Sequence, residues 1–200
     1  FNKALFHDVE IQHLELKEQI DLHYIKAKGQ GGDYYFENIK INNLDDGYSI
    51  LTKGELNRTS VDKLLYEFDD FEQTYINSNQ IKGEISSAFK ASFFINPSKS
   101  FDLKSLTFNS DNSFQHVKLI DYNYIAEIVD YFDESMITRN IVDIPYYKQK
   151  SKKIIFKPFR NNMSFKDGKL NISPTYLENN MLNLNLKGTQ TISDSVDYYM

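Results

Sequence analysis

Between Ile81 and Ile95 every second residue is apolar or small. Ile81, Gly83, Ile85, Ser87, Phe89, Ala91, Phe93 and Ile95 are interleaved with Lys82, Glu84, Ser86, Lys90 and Ser92. Side chains of a strand point alternately to opposite faces, so this stretch predicts one long strand with a greasy face and a polar face. Strands usually run about five or six residues, and one of roughly fifteen calls for an extended or strongly curved sheet rather than a compact barrel. The odd-numbered face is expected to turn inward, with Lys82, Glu84 and Lys90 towards water, because a one-residue slip would invert every side chain.

Residues 1–57 read as a β-meander, with strands at Val9–Leu16, Ile20–Ala27, Asp33–Ile41 and Tyr48–Leu56. Turn signals separate them at Gly29–Gly32 and Asn42–Gly47, where Gly supplies positive φ and Asn and Asp tolerate it. The period then changes. Val61, Leu64, Leu65, Phe68 and Phe71 have helical spacing, with Thr59 as a candidate cap and Asp62 three residues on. Ile125, Ile128, Val129, Phe132 and Met136 form a second helical stripe, with Asp121 as its candidate cap. Helices are thus predicted near 60–75 and 122–135, within a middle segment 58–136 of helix, long strand and helix.

From 137 to 200 the closing strands are expected at Ile154–Phe159, Met163–Phe165, Lys169–Ile172, Met181–Gly188 and from Ser195 on. Asp167-Gly168 is the strongest hairpin signal, since a type I′ turn needs positive φ at both central residues. Leu182, Leu184 and Leu186 face one way in their strand, and Asn183, Asn185 and Lys187 the other.

Chemistry-bearing patterns are scarce. His7, His13, His23 and His116 show neither helical pairing nor carboxylate spacing for a zinc site and read as surface residues. The cluster Gly29, Gly31, Gly32 precedes a strand, whereas a phosphate cradle needs a helix N-terminus. Asp45-Asp46 and Asp69-Asp70 are adjacent in sequence, and adjacency does not converge two carboxyls across a cleft. No serine lies in a G-x-S-x-G elbow. The sequence has no cysteine, which removes disulfides, thiolate metal ligands and a cysteine nucleophile. A net charge of −5 argues against a nucleic-acid partner, and the basic run Lys148–Lys153 reads as a solvated connector able to touch phosphates or anionic head groups. The 14 Tyr and 15 Phe suit strands and do not by themselves define a sugar-stacking surface. No enzyme, cofactor or metal site is expected.

Several motifs, taken in order, resemble the C-terminal region of the AsmA-like family as found in Bacteroidota. They are Gly54-Glu55-Leu56, the helix with Leu64-Leu65 and Phe68-Asp69-Asp70-Phe71, Ile81-Lys82-Gly83, and Lys118-Leu119-Ile120-Asp121-Tyr122. Met163 to Ile172 with Pro174 resembles that family's hairpin, and Leu182, Leu184, Leu186, Gly188 and Ser195-Val196-Asp197-Tyr198 its closing strands. The resemblance runs from about Ile20 to the end. It implies a single domain over 1–200, part of a longer protein. The fold would be mainly β with two short α-helices, an elongated, twisted, mostly antiparallel sheet forming a trough or groove.

The resemblance further implies a non-enzymatic module of Gram-negative outer-membrane biogenesis. It would sit in the periplasm, attached to the inner membrane through a helix upstream of this chain. The partner would be a phospholipid or other envelope lipid, together with envelope proteins. A continuous apolar face can shield an acyl chain from water at about 0.8 kcal/mol per CH₂. The residues expected to line such a groove are Ile81, Ile85, Phe89, Phe93, Ile95, Leu182, Leu184 and Leu186. The alternative is a structural or protein-docking β-domain, in which the same residues pack as an ordinary core beneath the helices.

Overall fold

A computed structural model describes residues 6–16, 19–68, 70, 76–96, 101–135, 137, 140–191 and 196–199. The elements in chain order are β1 (His7–Leu16), β2 (Gln19–Lys28), β3 (Asp33–Leu44), β4 (Gly47–Ser60), α1 (Val61–Glu67), β5 (Ile81–Ile95) and β6 (Phe101–Ile120). They continue with α2 (Asn123–Glu134), α3 (Ile144–Ser151), β7 (Lys153–Ile155), β8 (Phe159–Lys166), β9 (Lys169–Glu178), β10 (Asn183–Thr191) and β11 (Val196–Tyr199). The described strands make one antiparallel sheet in the order β1-β2-β3-β4-β5-β6-β8-β9-β10-β11, with β7 beside the end of β6. The sheet is open and is not closed into a barrel.

This is the mainly β, antiparallel, elongated architecture that the alternating pattern predicts. Its substantial contacts are between hydrogen-bonded neighbours, with α1 on β5 and β4, α2 on α3, and α3 on β7. A single-layer sheet leaves much of itself wet. The accessible surface is 13367 Å², against about 9,800 Å² for a compact chain of this mass.

The strand Ile81–Ile95 has the predicted bounds. Lys82 and Lys90 are exposed, whereas Ile85 and Phe89 are half-buried and Ala91 is buried. Toward one end of the sheet two bulges bend the strands, one in β4 between Leu56 and Thr59 and one in β6 between Gln115 and Lys118, opposite Gly83 of β5. Arg58, Gly83 and His116 take positive φ there. At Gly83 a side chain has no room, since a Cβ would lie 2.9 Å from Val117 Cα. Bulges of this kind sharpen local twist, which lets such long strands curve. The Asp167-Gly168 reversal is as predicted, with φ of 51° and 72° and Lys166 paired to Lys169.

The helical segments differ from expectation in three ways. The first helix has Ser60 at its N-cap, because β4 runs on through Ser60 and leaves Thr59 buried in the sheet opposite Ile85. It is described to Glu67, and the predicted positions Asp69 and 71–75 lie outside the described residues. The second has Tyr122 at its N-cap, while Asp121 at φ 47° forms the turn before it. A third helix, α3, replaces the expected connector. Asp143 accepts a hydrogen bond from Tyr146 N at 3.1 Å and Pro145 sits in the first turn, a pairing of cap and proline that starts helices.

Candidate functional site

Register across the sheet assembles two faces from residues far apart in sequence. Gly54 lies opposite Phe89, Phe89 opposite Ser110, Ser110 opposite Met163, and Met163 opposite Ile172. The next row runs through Thr52, Ala91, Phe108, Phe165 and Leu170. These rows form the apolar face. Phe89 is its centre: its ring is 6.0 Å from Phe36 and 5.6 Å from Phe108. It lies across Gly54, where a Cβ would come within 2.3 Å of Phe89 Cζ. Glycine in a strand interior costs entropy, and here it makes the space in which the Phe36–Phe89 edge contact forms.

The candidate lining residues other than Leu182 fall on this face at different places. Ile85 is opposite Phe114, whose ring stacks on Phe159 at 4.7 Å. Phe93 lies opposite Ile50, and Ile81 and Ile95 close the two ends of β5. Leu184 and Leu186 join the face through β10, opposite Leu177 and Thr175. Leu182 precedes that strand, held by its N–H to Asn179 Oδ1 at 3.0 Å. All eight are half-buried, and the structure spreads them over the sheet rather than gathering them in one cavity.

A polar row that sequence reasoning missed crosses the apolar face. Ser87, Asn112 and Asn161 are register partners on β5, β6 and β8, and all are buried. Ser87 Oγ donates to Asn112 Oδ1 at 2.7 Å, and Asn112 Nδ2 donates to Ser110 Oγ at 2.9 Å and to Asn161 Oδ1 at 3.1 Å. The amide spends its donors and one acceptor within the sheet, as burial requires.

The other face is hydrophilic, and the larger described cavities lie on it. One of about 570 Å³ is lined by Lys53, Glu55, Lys90, Asn109, Asp111 and Asn162 among others. A second of about 540 Å³ adjoins it near Ser86 and Arg160, and a third of about 490 Å³ reaches Lys26 and Tyr35. Gly54, Phe89, Ser110, Met163 and Ile172 also border the first, although strand alternation assigns their side chains to the other face. These hollows thus open on the polar side of the sheet.

At one end, α1 is fastened by a buried carboxylate. Glu67 is fully buried, and its Oε1 accepts from Gly31 N at 3.3 Å and from Gln30 N. Its Oε2 accepts from Tyr34 OH, a side chain reaching up from the apolar face. Burial first, and then this hydrogen bond, push the Tyr34 phenol pKa well up. Gly29 allows the approach, for a Cβ there would meet Glu67 Oε1 at 2.7 Å. The glycine cluster is therefore a turn, as expected, whose backbone donors grip a side chain of the protein itself. Nearby, the Asp62 carboxylate is disfavoured by its partial burial but held below the usual range overall by hydrogen bonds from Lys82, at 2.6 Å, and Ser60.

His7, His23 and His116 are exposed, and Asp45 and Asp46 sit in the exposed β3–β4 turn. Asp70 accepts from Ser78 N at 2.8 Å. Among the described residues no three His, Asp or Glu side chains gather as a metal site, and no helix is long and apolar enough to cross a membrane. No family model, curated protein or solved structure matches the chain.

Proposed function

We propose that this chain is a non-enzymatic envelope module of the AsmA-like kind that shields lipid acyl chains along the apolar face of its sheet. One observation carries the reading: the sheet presents an apolar face centred on Phe36, Phe89 and Phe108, crossed only by the internally bonded row Ser87–Asn112–Asn161, with no second layer packed across it among the described residues. An apolar sheet face in water has to be covered. A sixteen-carbon chain laid along it would be relieved of water contact worth up to about 13 kcal/mol. The partner is a phospholipid or similar envelope lipid. The setting is the periplasm of a Gram-negative cell, with attachment to the inner membrane outside this chain.

The experiment is photocrosslinking to a phosphatidylethanolamine carrying a diazirine in its acyl tail. Phe89→Asp places a carboxylate without a partner on the acyl path, and lipid capture is expected to fall about tenfold or more. Lys90→Asp, next in the strand but on the polar face, keeps full capture. Only variants with native circular dichroism and melting are compared. Full capture by folded Phe89→Asp, or none by the natural sequence, refutes the reading.

A protein-docking role is favoured by one feature, the ten-residue edge strand β1. It exposes Val9 and Ile11 beside an edge with no neighbour among the described residues, a form suited to pairing with another strand. In the crosslinking experiment this reading predicts no lipid at all.

A further inference from the structure

The hydrophilic face carries two rows of polar side chains that the fold leaves largely unpaired. In the first, Lys53 lies in register between Glu37 and Lys90, and the row runs on through Asn109, Ser164 and Asn171. Like charges directly opposite across a sheet are destabilising, and among the described residues neither lysine side chain has an ion pair or a hydrogen bond. A local rule broken with no gain to the fold marks a place shaped by something else. The second row passes from Tyr35 through Glu55, Ala88 and Asp111 to Asn162. Asn162 Nδ2 donates to Asp111 Oδ1, and Thr189 Oγ1 donates to Asn171 Oδ1 at 2.8 Å. These planar groups are thus held in orientation while Asp111 Oδ2, Asn162 Oδ1 and Asn171 Nδ2 stay open for a ligand. Glu55 borders all three hollows of this face and joins them. The largest reaches from Glu37 on β3 to Asn171 on β9, about 24 Å at the usual strand spacing.

We propose that this trough binds an uncharged polysaccharide. Charge decides against other linear polymers. Around the two larger hollows the carboxylates Glu37, Glu55 and Asp111 are set against the cations Lys53, Lys90 and Arg160, a balance that offers no field to a polyanion or a polycation. An extended peptide spends its main-chain groups on a sheet edge, not on a face whose own main chain is already paired. What the trough offers is a dense mixture of ammonium donors, carboxylate acceptors, and carboxamides and hydroxyls that do both. The hydroxyls of a sugar also donate and accept at every position, and a run across neighbouring strands suits several sugars in a chain. At one end Tyr35 borders the third hollow with its ring 5.9 Å from Tyr24, and such rings, apolar on the face and polar at the tip, suit the C–H side of a sugar. The site lies on the opposite face from the one proposed to shield lipid, and neither reading depends on the other.

The test is isothermal titration calorimetry of the 200-residue chain with maltohexaose, cellohexaose, laminarihexaose and mannohexaose, and with a galacturonic acid hexamer as the charged comparison. Saturable binding of at least one neutral hexasaccharide is expected, tighter than that of its disaccharide. Asp111→Ala/Asn162→Ala, both at exposed positions, is expected to weaken it about tenfold or more through two or more lost hydrogen bonds, with melting unchanged. Lys166→Ala, exposed at the end of β8, keeps full affinity. Binding of none of the neutral hexasaccharides overturns the proposal, as does equal binding by the Asp111→Ala/Asn162→Ala variant. A preference for the galacturonic acid hexamer that Lys53→Gln/Lys90→Gln removes overturns it in favour of an anion site.

Discussion

Removing the Glu67 side chain tests whether the clamp between α1 and the glycine turn holds that end of the sheet. In Glu67→Ala three donors lose their acceptor: Gln30 N, Gly31 N and Tyr34 OH. Gly31 and Tyr34 are buried and Gln30 is exposed, so water can replace only the last cheaply. A buried polar group left without a partner costs about 1–3 kcal/mol, which puts the substitution at about 3–5 kcal/mol. For a chain of this length each kcal/mol lowers Tm by about 2–4 °C, so a fall of about 10 °C is expected.

Urea titration and thermal circular dichroism would measure it, with Tyr34→Phe and the double variant completing a cycle. Tyr34→Phe alone orphans one carboxylate oxygen at about 1–3 kcal/mol, and the double variant is expected to fall short of additivity by about 1 kcal/mol or more. Glu67→Gln keeps an acceptor for the turn and should cost about half as much as alanine. A loss below about 1 kcal/mol for Glu67→Ala, or strict additivity with Tyr34→Phe, would refute the clamp.

Two further outcomes follow from the site. Asn112→Ala strands Ser87 Oγ and Asn161 Oδ1 and is expected to cost about 2–3 kcal/mol, whereas Ser87→Ala/Asn112→Val/Asn161→Val should recover most of that in urea titration; equal stability of the two variants would contradict the ladder. The carboxyl of Asp62 titrates below its ordinary 3.8 in the folded protein, so its contribution is complete above about pH 4 and is lost as pH falls through the folded value. The urea midpoint of the natural chain should therefore drop more between about pH 5 and pH 2 than that of Asp62→Asn, by less than about 1 kcal/mol after solvent screening; parallel curves would contradict it.

The parts of the fold that were legible are those where one local rule acts alone. Ile81–Ile95 alternates without interruption, and Asp167-Gly168 satisfies a turn type that few other residues can. Strand β6 was missed although it is longer, at 20 residues. Its inward positions include Ser110 and Asn112, which erase the apolar period, and the bulge at His116 reverses parity before Val117. Those polar residues make sense only beside Ser87 and Asn161, which the register brings from other strands. The third helix carried a readable signal in Asp143 and Pro145, masked by the lysines that follow. Glu67 gave no such signal, since a carboxylate on a helix normally faces water and its three donors lie more than thirty residues upstream. The side on which the hollows open was also hidden, because alternation says which face is apolar and not which face is hollowed.

The polar row also answers a problem that a single-layer sheet creates for itself. A slip of one residue between β5 and β6 would turn apolar side chains to water, so the alternating pattern forbids it. A slip of two keeps every side chain on its face and is invisible to that pattern, and among the described residues no second layer lies across the face to reject it by packing. With such a slip Asn112 would stand opposite Phe89 or Ile85 instead of Ser87. Its buried amide would then lose partners at about 1–3 kcal/mol for each group. The hydrogen bonds from Ser87 through Asn112 to Asn161 therefore select one register over its even-numbered neighbours across β5, β6 and β8. The cost is a hydrophilic line through an apolar surface. That choice also fixes Lys90 against Asn109 and Asp111 against Asn162 on the far side, so one buried row aligns both faces of the sheet.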